Sequence, residues 1–140
     1  MKYIVMIVAL SFSLMAADAA KAAKELGVYN NYETALQKAK SENKLMVLVV
    51  VWDPCKACDK LVRNTLANAM VKNRLKDYVT VILDYKDKMP KEFHVEMAPL
   101  IFYIDTKTDK SVWESMGAVS IESIMDDFKE ADEMLKENSK

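Results

Sequence analysis

The chain contains two cysteines, and they stand close together as Cys55-Lys56-Ala57-Cys58. Two thiols separated by two residues can do three different things. They can cycle between dithiol and disulfide, in which case a helix starting at the pair presents unpaired backbone N–H groups and its positive end to Cys55 and stabilises a thiolate there. An ordinary thiol is only about 3% ionised at neutral pH, so that stabilisation decides whether it acts as a nucleophile. They can form half of a zinc site, although zinc takes four ligands, usually as two pairs, and the chain has no third cysteine and only one histidine, His94. Or they can close a purely structural disulfide, whose short loop restrains the unfolded chain modestly. Covalent haem attachment is excluded as a motif, because Asp59 stands where that motif requires histidine.

The elements around the pair favour the first reading. Leu45 to Val51 is an unbroken apolar run, LMVLVVV, read as a strand buried on both faces and ending just before Trp52-Asp53-Pro54 and the cysteines. From Cys55 onward Cys58, Leu61, Val62, Leu66, Ala69 and Met70 recur near a period of 3.6, which predicts an amphipathic helix beginning at the dithiol. Asn68 is placed to cap a second short helix, and Val79 to Leu83 then reads as another buried strand, giving a βαβ unit. Before the dithiol, Asn30 with Glu33 resembles a capping box for a helix from about Asn31 to Glu42, and Ala20 to Leu26 reads as a frayed lead-in followed by a short edge strand at Val28-Tyr29. After Val79 to Leu83, Pro90 opens a short helix reaching Phe93-His94. Leu100 to Ile104 and Ser111 to Met116 form a hairpin across the DTKTDK turn, and Ser120 caps a terminal helix striped by Ile121, Ile124, Met125, Phe128, Ala131 and Leu135. The acid at the end of the second strand, Asp84, is structural unless it reaches the dithiol.

Composition narrows the partners. With 20 basic and 21 acidic residues the formal charge is -1, which offers no field for nucleic acid or an anionic membrane. A length of 140 residues suits one domain. At the N-terminus Lys2, the apolar stretch Tyr3 to Met15 and the small residues Ala16, Ala17, Ala19 and Ala20 follow the order of a secretory signal peptide, too short to span a bilayer. Ala17-Asp18-Ala19 fits the A-x-A cleavage pattern, with Ala16 as a second register. The organisation read from the sequence is therefore a signal peptide over residues 1–19, a lead-in over 20–30 and one domain over 31–138. The mature protein is expected in the periplasm or another exported, oxidising compartment where a dithiol can cycle. Ten methionines suit Cu(I) by their chemistry, but three lie in the signal segment and the others are scattered, as gap-filling core residues are.

Taken together, YETALQKAKSENKLMVLVVVWDPCKACDKL, VTVILDY, FHVEMAPLIFYID and VWESMGAVSIESIMDDF resemble the thioredoxin superfamily, and within it the exported thioredoxin-like proteins. The resemblance runs from about Tyr32 to Phe128 and implies an α/β thioredoxin fold, a central mixed sheet of four or five strands flanked by helices. It implies that Pro99 is the cis proline beside the dithiol and that the backbone at Ala98 pairs with a substrate chain. It also implies catalysis by Cys55 and Cys58 through a redox-active disulfide, with no cofactor and no metal. Trp52 and Pro54 would flank the substrate, and Lys56 and Ala57 would modulate the pair. The implied partners are client proteins with thiols or disulfides and an external electron donor or acceptor, with a monomeric protein and no nucleic acid or stable membrane insertion. Two departures stand out: thioredoxin has Trp directly before its first cysteine and a buried acid six residues before it, where this chain has Pro54 and Val49. The alternative activity is a non-catalytic thioredoxin-fold module that uses the dithiol to hold copper or a thiol.

Overall fold

The computed structural model describes residues 18–140, so the signal peptide read from the sequence lies almost wholly outside the described residues. The elements follow one another as α1 (Ala19–Leu26), α2 (Tyr32–Glu42), β1 (Met46–Val51), α3 (Lys56–Lys60), a π-helical segment (Leu61–Leu66), α4 (Ala69–Leu75), β2 (Val79–Asp84), a single 3-10 turn (Lys91–Phe93), β3 (Leu100–Asp105), β4 (Lys110–Met116) and α5 (Ile121–Glu137). Four strands form one mixed sheet in the order β2-β1-β3-β4, with β1 parallel to β2 and antiparallel to β3, and β4 antiparallel to β3.

The apolar run at β1 is central because both of its faces are covered. All six residues of β1 are fully buried, and they alternate between two cores. Val47, Val49 and Val51 point to the layer that holds Cys58, Leu61, Leu66, Ile82, Ile101 and Phe128. Met46, Leu48 and Val50 point to the layer built with Ala35, Ala39, Val81, Phe93 and Phe102. A strand between two helical layers needs apolar residues at consecutive positions, which is the pattern that distinguishes it from a half-solvated strand.

Several local features differ from the sequence reading. The cap of α2 is Asn31, whose side chain accepts from the Thr34 N–H at 2.9 Å, while Asn30 instead donates to the Ile82 carbonyl at 2.7 Å and ties the loop to β2. The lead-in is a docked helix rather than a frayed one: Asp18 caps α1, Gly27 ends it with φ +67°, and Ala19, Ala22 and Ala23 enter the core. The edge strand at Val28-Tyr29 contracts to an isolated bridge from Tyr29 to Val81. The helix after the dithiol is not continuous, because a π-helical segment follows α3 and a turn at Ala67-Asn68 separates it from α4. Asn68 caps α4 as the sequence reading has it, but Met70, placed on the apolar stripe by periodicity, is 62% exposed. The break rotates α4 relative to α3, so a phase carried across it loses its meaning.

Candidate active site

Cys55 occupies the N-cap position of α3, with extended backbone, and its Sγ accepts from the Cys58 N–H at 3.0 Å. β1 ends at Val51, the chain crosses Trp52 to Pro54, and α3 begins: the dithiol sits where the buried strand delivers it. The two sulfurs are joined as a disulfide with Cα atoms 5.2 Å apart. Cys55 is partly exposed and Cys58 fully buried, so one sulfur is open to attack from outside while the other is reachable only through it.

The Ala98–Pro99 peptide bond is cis, as the resemblance implies, and Pro99 leads directly into β3. The Ala98 carbonyl oxygen lies 3.9 Å from Cys55 Sγ, which brings together two segments more than forty residues apart in sequence. Ala98 is partly exposed and Pro99 buried. On the far side of Pro99, the Gly117 N–H donates to the Pro99 carbonyl at 2.9 Å, and Gly117 adopts φ +81°, a conformation that favours glycine.

The remaining candidates are placed unevenly. Lys56 and Pro54 are exposed and Ala57 partly so. The Asp53–Pro54 bond is also cis, which the sequence reading did not anticipate. Trp52 meets Tyr85 edge-on with ring centroids 5.5 Å apart, so its indole is held against the end of β2. Asp84 is engaged locally, accepting from the Lys86 N–H at 3.0 Å while its own N–H donates to Asp87, so its carboxyl belongs to a turn. His94 is exposed. Val49, where the resemblance leads one to look for a buried acid, lies at 0% exposure in the same apolar layer as Cys58. Among the described residues no three His, Cys, Asp or Glu side chains are grouped to hold a metal ion, and no helix is long and apolar enough to cross a membrane.

Two features near the pair have no counterpart in the sequence reading. Met97 and Met116 are 49% and 64% exposed, Met97 lying two residues before Pro99 and Met116 pairing with Leu100 in the β3–β4 ladder. Thr65, buried in the π-helical segment, donates from its hydroxyl to the Val119 carbonyl at 2.7 Å. Its polar side chain on an otherwise apolar face was the available signal.

A disulfide-forming pair at a helix start beside a cis proline is an arrangement suited to thiol–disulfide exchange, and the family model described as thioredoxin-like matches residues 27–106. The chain belongs to the thioredoxin-like family. Among solved structures it is similar to a thioredoxin from Thermus thermophilus, with 13% identity, a TM-score of 0.70, and coverage of 81% of this chain and 92% of that one. It is similar to the C-terminal domain of Neisseria meningitidis DsbD in the oxidised form, at 17% identity and TM-score 0.59, covering 74% and 98% of the two chains. It also resembles the DsbH oxidoreductase, at 20% identity and TM-score 0.58, covering 77% and 83%. Comparison with curated proteins returned no match. At these identities the neighbours establish the thioredoxin fold, with its mixed four-stranded sheet and flanking helices, and the CxxC pair stands within it as the centre for thiol–disulfide oxidoreduction.

Proposed function

We propose that this protein is an exported, periplasmic thiol–disulfide oxidoreductase that reduces or exchanges disulfides in client polypeptides through Cys55 and Cys58. The observation that carries the reading is the asymmetry of the pair: Cys55 partly exposed at the start of α3, Cys58 fully buried behind it, and the Ala98 carbonyl 3.9 Å from Cys55 Sγ. In the reduced state the Cys55 thiolate attacks one sulfur of a client disulfide, forming a mixed disulfide and expelling the other client sulfur as a thiolate. Cys58 then attacks Cys55, and the second client sulfur leaves reduced. The enzyme is left as the intramolecular disulfide, and an external dithiol donor returns two electrons and two protons to it.

The reductive direction is favoured by the short connection between β2 and β3. It holds a single 3-10 turn at Lys91–Phe93, with no helical insertion of the kind that distinguishes the oxidases. Export rests on the N-terminal pattern of Lys2, an apolar stretch and Ala17-Asp18-Ala19.

The test is insulin reduction by the protein with dithiothreitol as donor, beside Cys55→Ser and Cys58→Ser. Wild-type turnover, none with Cys55→Ser, and an accumulating mixed disulfide with Cys58→Ser support the reading. Dithiol-independent background alone, with stoichiometric Cu(I) capture by the pair, refutes it in favour of a binding module.

A further inference from the structure

A circuit of contacts leaves the dithiol at Cys55 and returns to it through a side chain remote from the sulfurs. Following it from Cys55, the chain runs along α3 into the π-helical segment Leu61–Leu66, where Thr65 is 4% exposed. Thr65 Oγ1 donates to the Val119 carbonyl at 2.7 Å. The Val119 N–H donates to the Gly117 carbonyl and the Gly117 N–H to the Pro99 carbonyl, each at 2.9 Å. Ala98, one residue before Pro99, then returns its carbonyl to within 3.9 Å of Cys55 Sγ.

The side chain that closes the circuit lies in the π-helical segment. The Ala67 N–H reaches back to the Val62 carbonyl at 3.0 Å, one residue further than in an α-helix, and Thr65 is buried with Leu61, Val62 and Leu66. Single π turns inside helices recur at functional sites because they re-aim one side chain without ending the helix. Here the re-aimed side chain is the only hydroxyl of the segment, and it meets the loop between β4 and α5.

We infer that Thr65 is a positioning residue that sets the distance between Cys55 and the wall formed by Met97-Ala98-Pro99 and Met116-Gly117, and that it thereby selects polypeptide clients over small disulfides. This rests on the oxidoreductase reading above and deepens it. A client chain lying over Cys55 and along the Ala98 backbone also covers Met97 and Met116, exposed, flexible apolar side chains that adapt to varied partners. A small disulfide touches the sulfurs alone and leaves the wall uncovered. Loosening the wall therefore weakens client binding and spares the chemistry at Cys55.

Thr65→Val keeps the shape and removes the donor; Thr65→Ser keeps the donor. With Thr65→Val, KM for insulin rises about tenfold, equivalent to about 1.4 kcal/mol, while kcat with insulin and the rate with hydroxyethyl disulfide stay within about twofold of wild type; Thr65→Ser restores the insulin KM. Independently of activity, amide hydrogen exchange at Gly117 accelerates in Thr65→Val and not in Thr65→Ser, with Cys58 unchanged. A simple structural staple would slow both substrates equally. That outcome, an unchanged insulin KM in Thr65→Val, or failure of Thr65→Ser to restore it, overturns the inference. Inactivity of the wild-type protein on both disulfides refutes the oxidoreductase reading instead, and the exchange comparison then decides whether the circuit exists.

Discussion

Substituting Val49 by Asp introduces a carboxyl at the position where thioredoxin carries one and this chain does not. Val49 is 0% exposed in the middle of β1, paired with Ile82 on one side and Ile101 on the other, in the layer that holds Cys58. Removing the two methyl groups costs about 1.5 kcal/mol at about 0.8 kcal/mol per buried carbon. Burying a neutral carboxyl without a partner adds about 1 to 3 kcal/mol, so the variant starts about 2.5 to 4.5 kcal/mol below wild type out of a total of roughly 5 to 15. Desolvation holds the introduced group neutral, which raises its folded pKa above the unfolded value of about 3.9. The sign follows: protons are bound more tightly in the folded state, so the deficit is smallest below that unfolded value. It widens as pH climbs towards the folded pKa, by about 1.4 kcal/mol for each pH unit crossed, and levels off above it. Urea unfolding followed by tryptophan fluorescence at about pH 4.5 and about pH 8, with Val49→Asn as the uncharged control, measures the gap. With the folded pKa about two pH units above the unfolded one, the gap grows by about 2 kcal/mol between these conditions for the acid and not for the amide. A gap for Val49→Asp that is the same at both pH values would mean the carboxylate finds water or a partner beside Cys58, and the dry environment argued for that sulfur would be wrong.

Three further outcomes are expected. Asp127 accepts from Trp113 Nε1 at 2.9 Å and from Ser115 Oγ at 2.6 Å, fixing α5 to β4 above the fully buried Tyr103, so Asp127→Ala should lose about 3 kcal/mol and roughly 10 °C in Tm, measurable by calorimetry. Burial pushes the Tyr32 hydroxyl up to about 12, with Asp109 and two glutamates adding to it, and it raises the Tyr78 and Tyr103 hydroxyls as well. Because the fold prefers these phenols neutral, their stabilisation is complete below about pH 10 and is lost above it, so phenolate absorbance from all three should appear together with the loss of circular dichroism rather than as independent titrations. Finally, Asp18 accepts from the Ala20 and Lys21 N–H groups and Ala19 is 4% exposed, so a chain starting at Ala20 should be about 1 kcal/mol less stable than one starting at Ala17; equal denaturation midpoints would show that the α1 cap contributes nothing.

Residue type and short spacing were enough for the parts of this protein that depend on neighbours in the chain. The LMVLVVV run reads as a strand covered on both sides, the CxxC pair stands just past the end of it, and Ser120 and Asn68 marked helix starts because capping is chemistry between neighbours. Pro99 was found through family resemblance, which carried long-range information that periodicity lacks. Phase and closure, by contrast, were settled in three dimensions. The choice between Asn30 and Asn31 as cap turned on a bond to Ile82, fifty-two residues away, and the exposure of Met70 turned on a π-helical segment that local spacing cannot reveal. The circuit through Thr65, Gly117 and Val119 belongs to the same class: these residues are ordinary as letters and are linked only because the β4–α5 loop meets the π-helical segment that follows α3. Hydrogen bonds between segments far apart in the chain depend on where the sheet delivers them, and that is settled by packing rather than by any local run of residues.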